Sequence, residues 1–282
     1  MILTITTTRK PATDIAYLLH KSSQRCQTTP LSFGKAHVFY PVATQTKCTM
    51  ALLLDIDPIE IIRTKNRSKD LIPLEQYVND RPYVASSFLS VAISQTLGSA
   101  LNGKCKDRPE LVEKIIPLTV GIHVVLSKGG QILIERLFEP LGYKIKIKGY
   151  PLDEKFSEWG ESNLFTVELT HKLRLKDLLN HLYVLIPVLD NKKHYFVDNQ
   201  ELEKLLKRGE GWLSQHPEKE LIVSRYLKYQ ASLAKLALQR LNEDTEEENE
   251  ELPKRIWVLV SDSLGRWQTK IYRKYSREQT FS

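Results

Sequence analysis

The chain has 282 residues, enough for one large domain or two ordinary ones. Hydrophobic residues make up 41% of it and charged residues 27%, which excludes a wholly disordered, collagenous or membrane-embedded protein. The three cysteines lack any CxxC spacing, which argues against a disulfide framework or a cysteine zinc site and favours a reducing cytosol.

The formal charge of +7 is unevenly distributed along the chain. Residues 243–251 (EDTEEENEE) contain seven acids and no base, and residues 252–282 carry a net +5. The first 242 residues therefore carry +9, which favours an anionic partner, either nucleic acid or the acidic face of a protein. A soluble protein with many surface lysines explains the same charge equally well. Because like charges repel and cannot pack, we predict an acidic solvated linker over 243–253.

The N-terminal part predicts strands mixed with short helices. MILTITTT (1–8) alternates apolar residues with threonine as a strand does, and Asp14 opens an apolar-periodic helix. The β-rich runs at 32–41 and 47–57 predict a hairpin. The second run is almost uniformly apolar, so we expect a central strand that is covered on both faces. A further helix is predicted from Pro58.

The next stretch predicts a helix from Ala85 to Leu101 that ends at Asn102-Gly103. Strands are then predicted in PLTVGIHVVL, YKIKIKGYP and SNLFTVELTHKLRL, with a helix in GGQILIERLFEPLG. The last third is helical, ending in one long helix with leucines spaced by three and four up to Leu241. The predicted fold class is α/β or α+β, with a mixed sheet, flanking helices and a helical C-terminal third. We expect one amino-terminal domain over 1–242, with two subdomains if a break occurs near residue 150.

The sequence shows no recognisable catalytic, cofactor-binding or metal-binding motif. The pairs Gly34-Lys35 and Gly103-Lys104 lack both the upstream glycine and the following Ser/Thr of a phosphate loop. No GxGxxG, GxSxG or KxDG motif occurs, and the seven histidines show no metal-ligand spacing. Catalytic, cofactor-binding and metal-binding residues are therefore all predicted as none, and whether the chain is an enzyme is left open.

Two polar clusters precede predicted helix starts, where backbone N–H groups favour anions. They supply the candidate partner-binding or anion-binding residues: Tyr77, Asn79, Asp80, Arg81 and Tyr83 in the first cluster, and Lys104, Lys106 and Arg108 in the second. The alternative is that Asp80 and Asp107 are caps or turn formers and that each arginine pairs with its neighbour.

Several ordered blocks carry a family resemblance. They are MILTITTTRKPATDIAYLLHK at the start, LSFGKAHVFYP (31–41), ALLLDIDP (51–58), EQYVNDRPYVASSFLSVAI (75–93), GKCKDRPEL (103–111) and RLFEPLGY (136–143). Over about residues 1–242 the chain resembles the amino-terminal half of the bacterial RNA 3′-terminal ribose 2′-O-methyltransferases, the bacterial HEN family.

The resemblance implies a binding module rather than a methyltransferase. In that family this half associates with the polynucleotide kinase-phosphatase-ligase and activates its RNA ligase by promoting adenylylation. The methyltransferase half, which binds S-adenosylmethionine and a divalent metal, follows an acidic linker. The resemblance thus implies RNA repair in the bacterial cytoplasm, a hetero-oligomer with the ligase, no membrane contact and no cofactor in this chain.

The chain departs from the family after the linker. Residues 252–282 are too few for a methyltransferase fold and contain neither a Gly-rich methyl-donor loop nor a Glu/His metal cluster. We hypothesise that the basic tail, 254–282, is a remnant of truncation or of a frameshift; the alternative is a short natural tail that binds nucleic acid.

Two functions from different classes follow. In the first, the chain is a docking module that stabilises an adenylylation-ready ligase, which requires tighter binding of that state. In the second, it is an RNA-binding fragment of the methyltransferase that holds the RNA 3′ end, which salt-dependent RNA binding would favour. The absence of catalytic motifs favours the first.

Overall fold

The computed structural model describes residues 1–57, 86–191, 199–227 and 230–250. Its strands are β1 (Ile2–Thr7), β2 (Gln27–Leu31), β3 (Gly34–Ala43), β4 (Cys48–Ile56), β5 (Ile116–Leu126), β6 (Lys144–Pro151) and β7 (Glu161–Leu173). Its helices are α1 (Asp14–Leu18), α2 (Ser86–Thr96), α3 (Gly98–Leu101), α4 (Gly130–Phe138), α5 (Leu175–Asp190), α6 (Asn199–Gly209), α7 (Lys219–Tyr226) and α8 (Ala231–Glu250).

The strands form a single antiparallel sheet. Its order is β2-β3-β4-β1-β5-β7-β6, so the predicted hairpin of β3 and β4 is confirmed. Strand β6 runs through residue 150, the position of the predicted subdomain break, and pairs along β7. Strand β7 joins the rest of the sheet through β5.

Alternation along each strand separates a core face of the sheet from an outward face. In β1, Leu3 and Ile5 are buried, whereas Thr4 and Thr6 point outward and are only half-buried. The same period of two recurs in β7, where Val167 is buried beside an outward-facing, half-buried Glu168. The sheet thus has an apolar side for the helices and a polar side.

Helix α5 lies at the centre of the core. Leu178, Leu182 and Leu185 are almost fully buried, because the helix packs between β5 and the helices α2, α6 and α7. Helix α8 closes the layer against α6 and α7. The predicted fold class is confirmed as α+β, with helices concentrated in the C-terminal part.

Three local predictions were wrong. Strand β4 lies inside the sheet as expected, but its outward face is not covered, since Asp55 is exposed and Leu53 is only half-buried. The helix predicted over 85–101 breaks at Leu97 before Gly98, a weak helix former. The last long helix is two helices, since the chain turns after Tyr226 to lay α8 back on α7.

Other predictions concern segments that lie wholly or partly outside the described residues. The helix predicted from Pro58 lies outside the described residues, as does the tail over 254–282. Helix α8 continues to Glu250, so the acid run begins inside a helix. The division into a domain over 1–242 and a linker over 243–253 stays a prediction.

A buried aromatic cluster joins the sheet side of the core to the helices. A hydrogen bond of 2.8 Å joins Tyr143 Oη to His181 Nδ1, and the indole of Trp212 packs edge-on against the His181 ring. His216 Nε2 lies 3.1 Å from the carbonyl oxygen of Leu137. Burial lowers the pKa of His181 to about 3, and the charges of His171 and His216 act in the same direction. The imidazole of His181 is therefore neutral at pH 7.

Candidate partner-binding surface

The second predicted cluster belongs to a surface made from two distant segments. Helix α1 and the turn that follows it provide Tyr17, His20 and Lys21. The loop between α3 and β5 provides Lys104, Lys106 and Arg108, and it begins at Gly103, whose φ of +63° ends the helix as predicted. We call these six residues the basic loop surface: Tyr17, His20, Lys21, Lys104, Lys106 and Arg108.

The backbone of the loop is held by contacts with α1 and the turn that follows it. His20 Nε2 lies 2.7 Å from the carbonyl oxygen of Lys104, and the Cys105 thiol donates to the carbonyl of Tyr17 at 3.4 Å. Cys105 and Leu111 are buried in the core. The side chains of Lys104 and Lys106 are nevertheless exposed. The loop therefore presents two cationic side chains from an anchored backbone.

Arg108 does not pair with its sequence neighbours. Its guanidinium lies 3.9 Å from the carboxylate of Asp14 in α1 and 5.1 Å from the centre of the Tyr17 ring. The 3-10 helix that starts at Pro109 has no side-chain cap. The alternative of Asp107 as a cap and Arg108 paired with its neighbour therefore does not describe this loop.

Asp14 should contribute measurably to stability because it is nearly buried and contacts two arginines. Its carboxylate is 9% exposed and lies 3.3 Å from Arg9 as well as close to Arg108. Asp14→Asn should lower the free energy of unfolding by about 1 kcal/mol, measured by urea denaturation. Asp107→Asn, a change at an exposed residue of the same loop, should stay within about 0.5 kcal/mol of the parent. Equal losses in the two variants would contradict this role of Asp14.

The far end of the loop is tied to α5 by an ion-pair network. Arg174 donates from Nη1 to Glu113 at 2.6 Å and from Nε to Asp177 at 2.7 Å. The hydrogen bonds to Asp177 and then to Glu113 raise the pKa of Arg174, so its guanidinium stays charged. Both ends of the loop are thus attached to helices.

Two shallow cavities adjoin at His20 and the loop. One of about 500 Å³ is lined by Tyr17, His20 and Lys21 together with Asp107. The other, of about 450 Å³, is lined by His20, Lys104 and Lys106. Partial burial lowers the pKa of the Lys21 ammonium. The surface is concave, and the charged residues that line it are three lysines, Lys21, Lys104 and Lys106, and two acids, Asp107 and Glu113.

The structure places only part of the predicted set. Lys104, Lys106 and Arg108 lie together, whereas the first cluster, Tyr77, Asn79, Asp80, Arg81 and Tyr83, lies outside the described residues. Tyr17, His20 and Lys21 were missed, because no local pattern shows that a turn after α1 contacts a loop far along the chain. In the part of the chain that the structure describes, no group of His, Cys, Asp or Glu side chains could hold a metal ion.

The family of the chain follows from a comparison with family models. Residues 1–242 match the model of the RNA repair, ligase-Pnkp-associating region of Hen1. The chain belongs to this family. The match confirms the resemblance and covers the whole of the described sheet and most of the helical layer.

A solved structure has a similar fold. A chain in the structure of the Pnkp1/Rnl/Hen1 RNA repair complex superposes with a TM-score of 0.52 at 14% sequence identity. The alignment covers 84% of this chain and 54% of that chain, so this chain spans about half of its length. At that identity the likeness shows the fold alone. No curated protein matches the sequence. None of the described helices has an apolar stretch long enough to cross a membrane.

Proposed function

We propose that the chain is a docking module of bacterial RNA repair that binds the polynucleotide kinase-phosphatase-ligase and promotes adenylylation of its RNA ligase. The observation that carries the proposal is the family match over 1–242, whose description names association with the ligase and Pnkp. The module works without chemistry of its own, by binding an adenylylation-ready ligase more tightly than other states. A tenfold shift toward that state takes about 1.4 kcal/mol of differential affinity.

The basic loop surface is our candidate for the contact with the ligase. Its cationic side chains belong to a loop whose backbone is held by His20, by Cys105 and by the Arg174 network. Little conformational entropy of the loop is therefore lost when a partner binds. The surface fits a partner that presents acidic side chains. Such charge complementarity raises the association rate and selects the partner.

We further propose that methylation belongs to a half of the family that follows the linker. S-adenosylmethionine and the divalent metal would bind there and not to residues 1–242. The cytoplasm suits this function, and the three free cysteines, Cys26, Cys48 and Cys105, suit a reducing compartment.

The test is to mix the full chain with the kinase-phosphatase-ligase of the same bacterium and ATP, without RNA. Formation of ligase–AMP should speed up as chain is added and saturate at a fixed ratio of chain to ligase, and the two proteins should co-elute in gel filtration. Co-elution with an unchanged rate would limit the function to association. Neither co-elution nor faster adenylylation would contradict the proposal.

A further inference from the structure

The outward face of the sheet carries a regular row of lysines. Strand β6 reads Lys-Ile-Lys-Ile-Lys from residue 144, so every second side chain points outward, and Lys144, Lys146 and Lys148 are exposed. Lys172 of β7 is exposed on the same face, two residues beyond Thr170, the partner of Lys144. We call these four residues the lysine face: Lys144, Lys146, Lys148 and Lys172.

Most of this charge is uncompensated. Glu168 is the acid on this face of the β6–β7 pair, and it binds Lys146 at 2.7 Å. Lys144, Lys148 and Lys172 form no ion pair with any residue that the structure describes. Lys148 instead lies 5.3 Å from the centre of the Tyr150 ring. The four lysines and Glu168 together therefore carry a net +3.

The surroundings of the row are polar. Thr119 and Thr170 lie 3.3 Å apart through their hydroxyls, and Tyr150 Oη lies 2.8 Å from Thr166 Oγ1. Toward the centre of the sheet the outward positions are occupied by the small residue Gly121 and by the exposed His123. Hydroxyls and ammonium groups bind phosphate and sugar oxygens, and aromatic rings stack on bases.

Lysines on an edge strand also prevent pairing with other chains, and β6 is an edge of the sheet. Lys172 lies on β7 beyond Thr170, the last residue of that strand that pairs with β6, so it is paired with β5 alone and also stands at an open edge. Edge protection requires only that these lysines be charged and exposed, which the binding of a polyanion requires as well.

We propose that the lysine face binds the phosphodiester backbone of single-stranded RNA. Alternate residues of a strand lie about 6.6 Å apart, so Lys144 and Lys148, which lie on either side of the ion-paired Lys146, can each contact a different phosphate of an extended polyanion. The choice of RNA draws on the family, which acts in RNA repair. The proposal does not depend on ligase activation, since it uses a face distinct from the basic loop surface.

The experiment uses the full chain and a fluorescein-labelled single-stranded RNA of about 12 nucleotides. Fluorescence anisotropy gives the affinity between about 50 and 200 mM salt for the parent and for the triple variant Lys144→Gln/Lys148→Gln/Lys172→Gln. The matched control is Lys128→Gln/Lys207→Gln/Lys235→Gln, which removes three exposed lysines elsewhere. Both variants change the net charge equally. Urea denaturation checks that each variant is folded.

We expect the lysine-face variant to bind about tenfold or more weakly. Its salt slope should fall by about 2, at roughly 0.7 for each phosphate that the variant no longer neutralises. The control should bind like the parent, and both variants should still stimulate ligase adenylylation. Equal losses in the two variants would show binding by overall charge alone, and no RNA binding by the parent would end the proposal. If the lysine-face variant binds RNA like the parent but no longer binds the ligase, this face contacts a protein and the RNA-binding proposal is overturned.

Discussion

Reversing the charges of Lys104 and Lys106 should abolish most of the stimulation of the ligase. In Lys104→Glu/Lys106→Glu we expect the rate of ligase–AMP formation at subsaturating chain to fall at least about tenfold, because like charges brought together at an interface cost more than about 1.4 kcal/mol. Both side chains are exposed. The contact of Lys104 with His20 uses its backbone carbonyl, which the substitution retains.

The control for this variant is Lys207→Glu/Lys235→Glu, an equal change of charge on α6 and α8. It should stimulate the ligase like the parent. Both variants should unfold at the urea concentration of the parent within experimental precision. If the Lys104/Lys106 variant activates fully, or if the control loses as much, the basic loop surface is not the contact.

Acid should destabilise the protein through its buried histidine cluster. The pKa of His181 is about 3 in the folded protein against 6.5 for an exposed histidine, so the unfolded chain takes up a proton that the folded chain does not. The stability contributed by neutral His181 is present above pH 6.5 and is lost progressively as the pH falls from there toward 3. The loss amounts to about 2 kcal/mol at about pH 5. Burial also lowers the pKa of His216, which adds a loss of the same sign.

Urea denaturation at several pH values between about 7 and 5 measures this loss. His181→Gln should flatten the pH dependence, since the amide takes up no proton in this range. A parent stability that is constant over this range, or an equal slope in His181→Gln, would show that the cluster does not govern acid sensitivity.

Much of the fold was predictable because its signals are local. The alternation in Lys144–Pro151 and the apolar runs of β3 and β4 identify strands directly. The turn after Tyr226 was not predictable, because the leucine period continues through it and only packing of α8 on α7 requires the chain to reverse. The uncovered outward face of β4 was not predictable either, because its apolar run does not indicate which face of the strand the helices will cover.

The candidate surface was predictable only in part. Lys104, Lys106 and Arg108 stand out as a charged run before a proline. Their assembly with Tyr17 and His20 depends on contacts between residues far apart in sequence, such as the hydrogen bond from His20 to the Lys104 carbonyl. The lysine face had a visible signal in the Lys-Ile-Lys-Ile-Lys repeat, but the inclusion of Lys172 required the register of β7 against β6.

Hydrogen–deuterium exchange of the full chain with and without the ligase tests most directly where docking occurs. We expect slower exchange in peptides that cover residues 17–24 and 102–113 when the ligase is added. Exchange in peptides that cover residues 144–150 should not change. Slower exchange elsewhere, with 102–113 unaffected, would contradict docking through the basic loop surface.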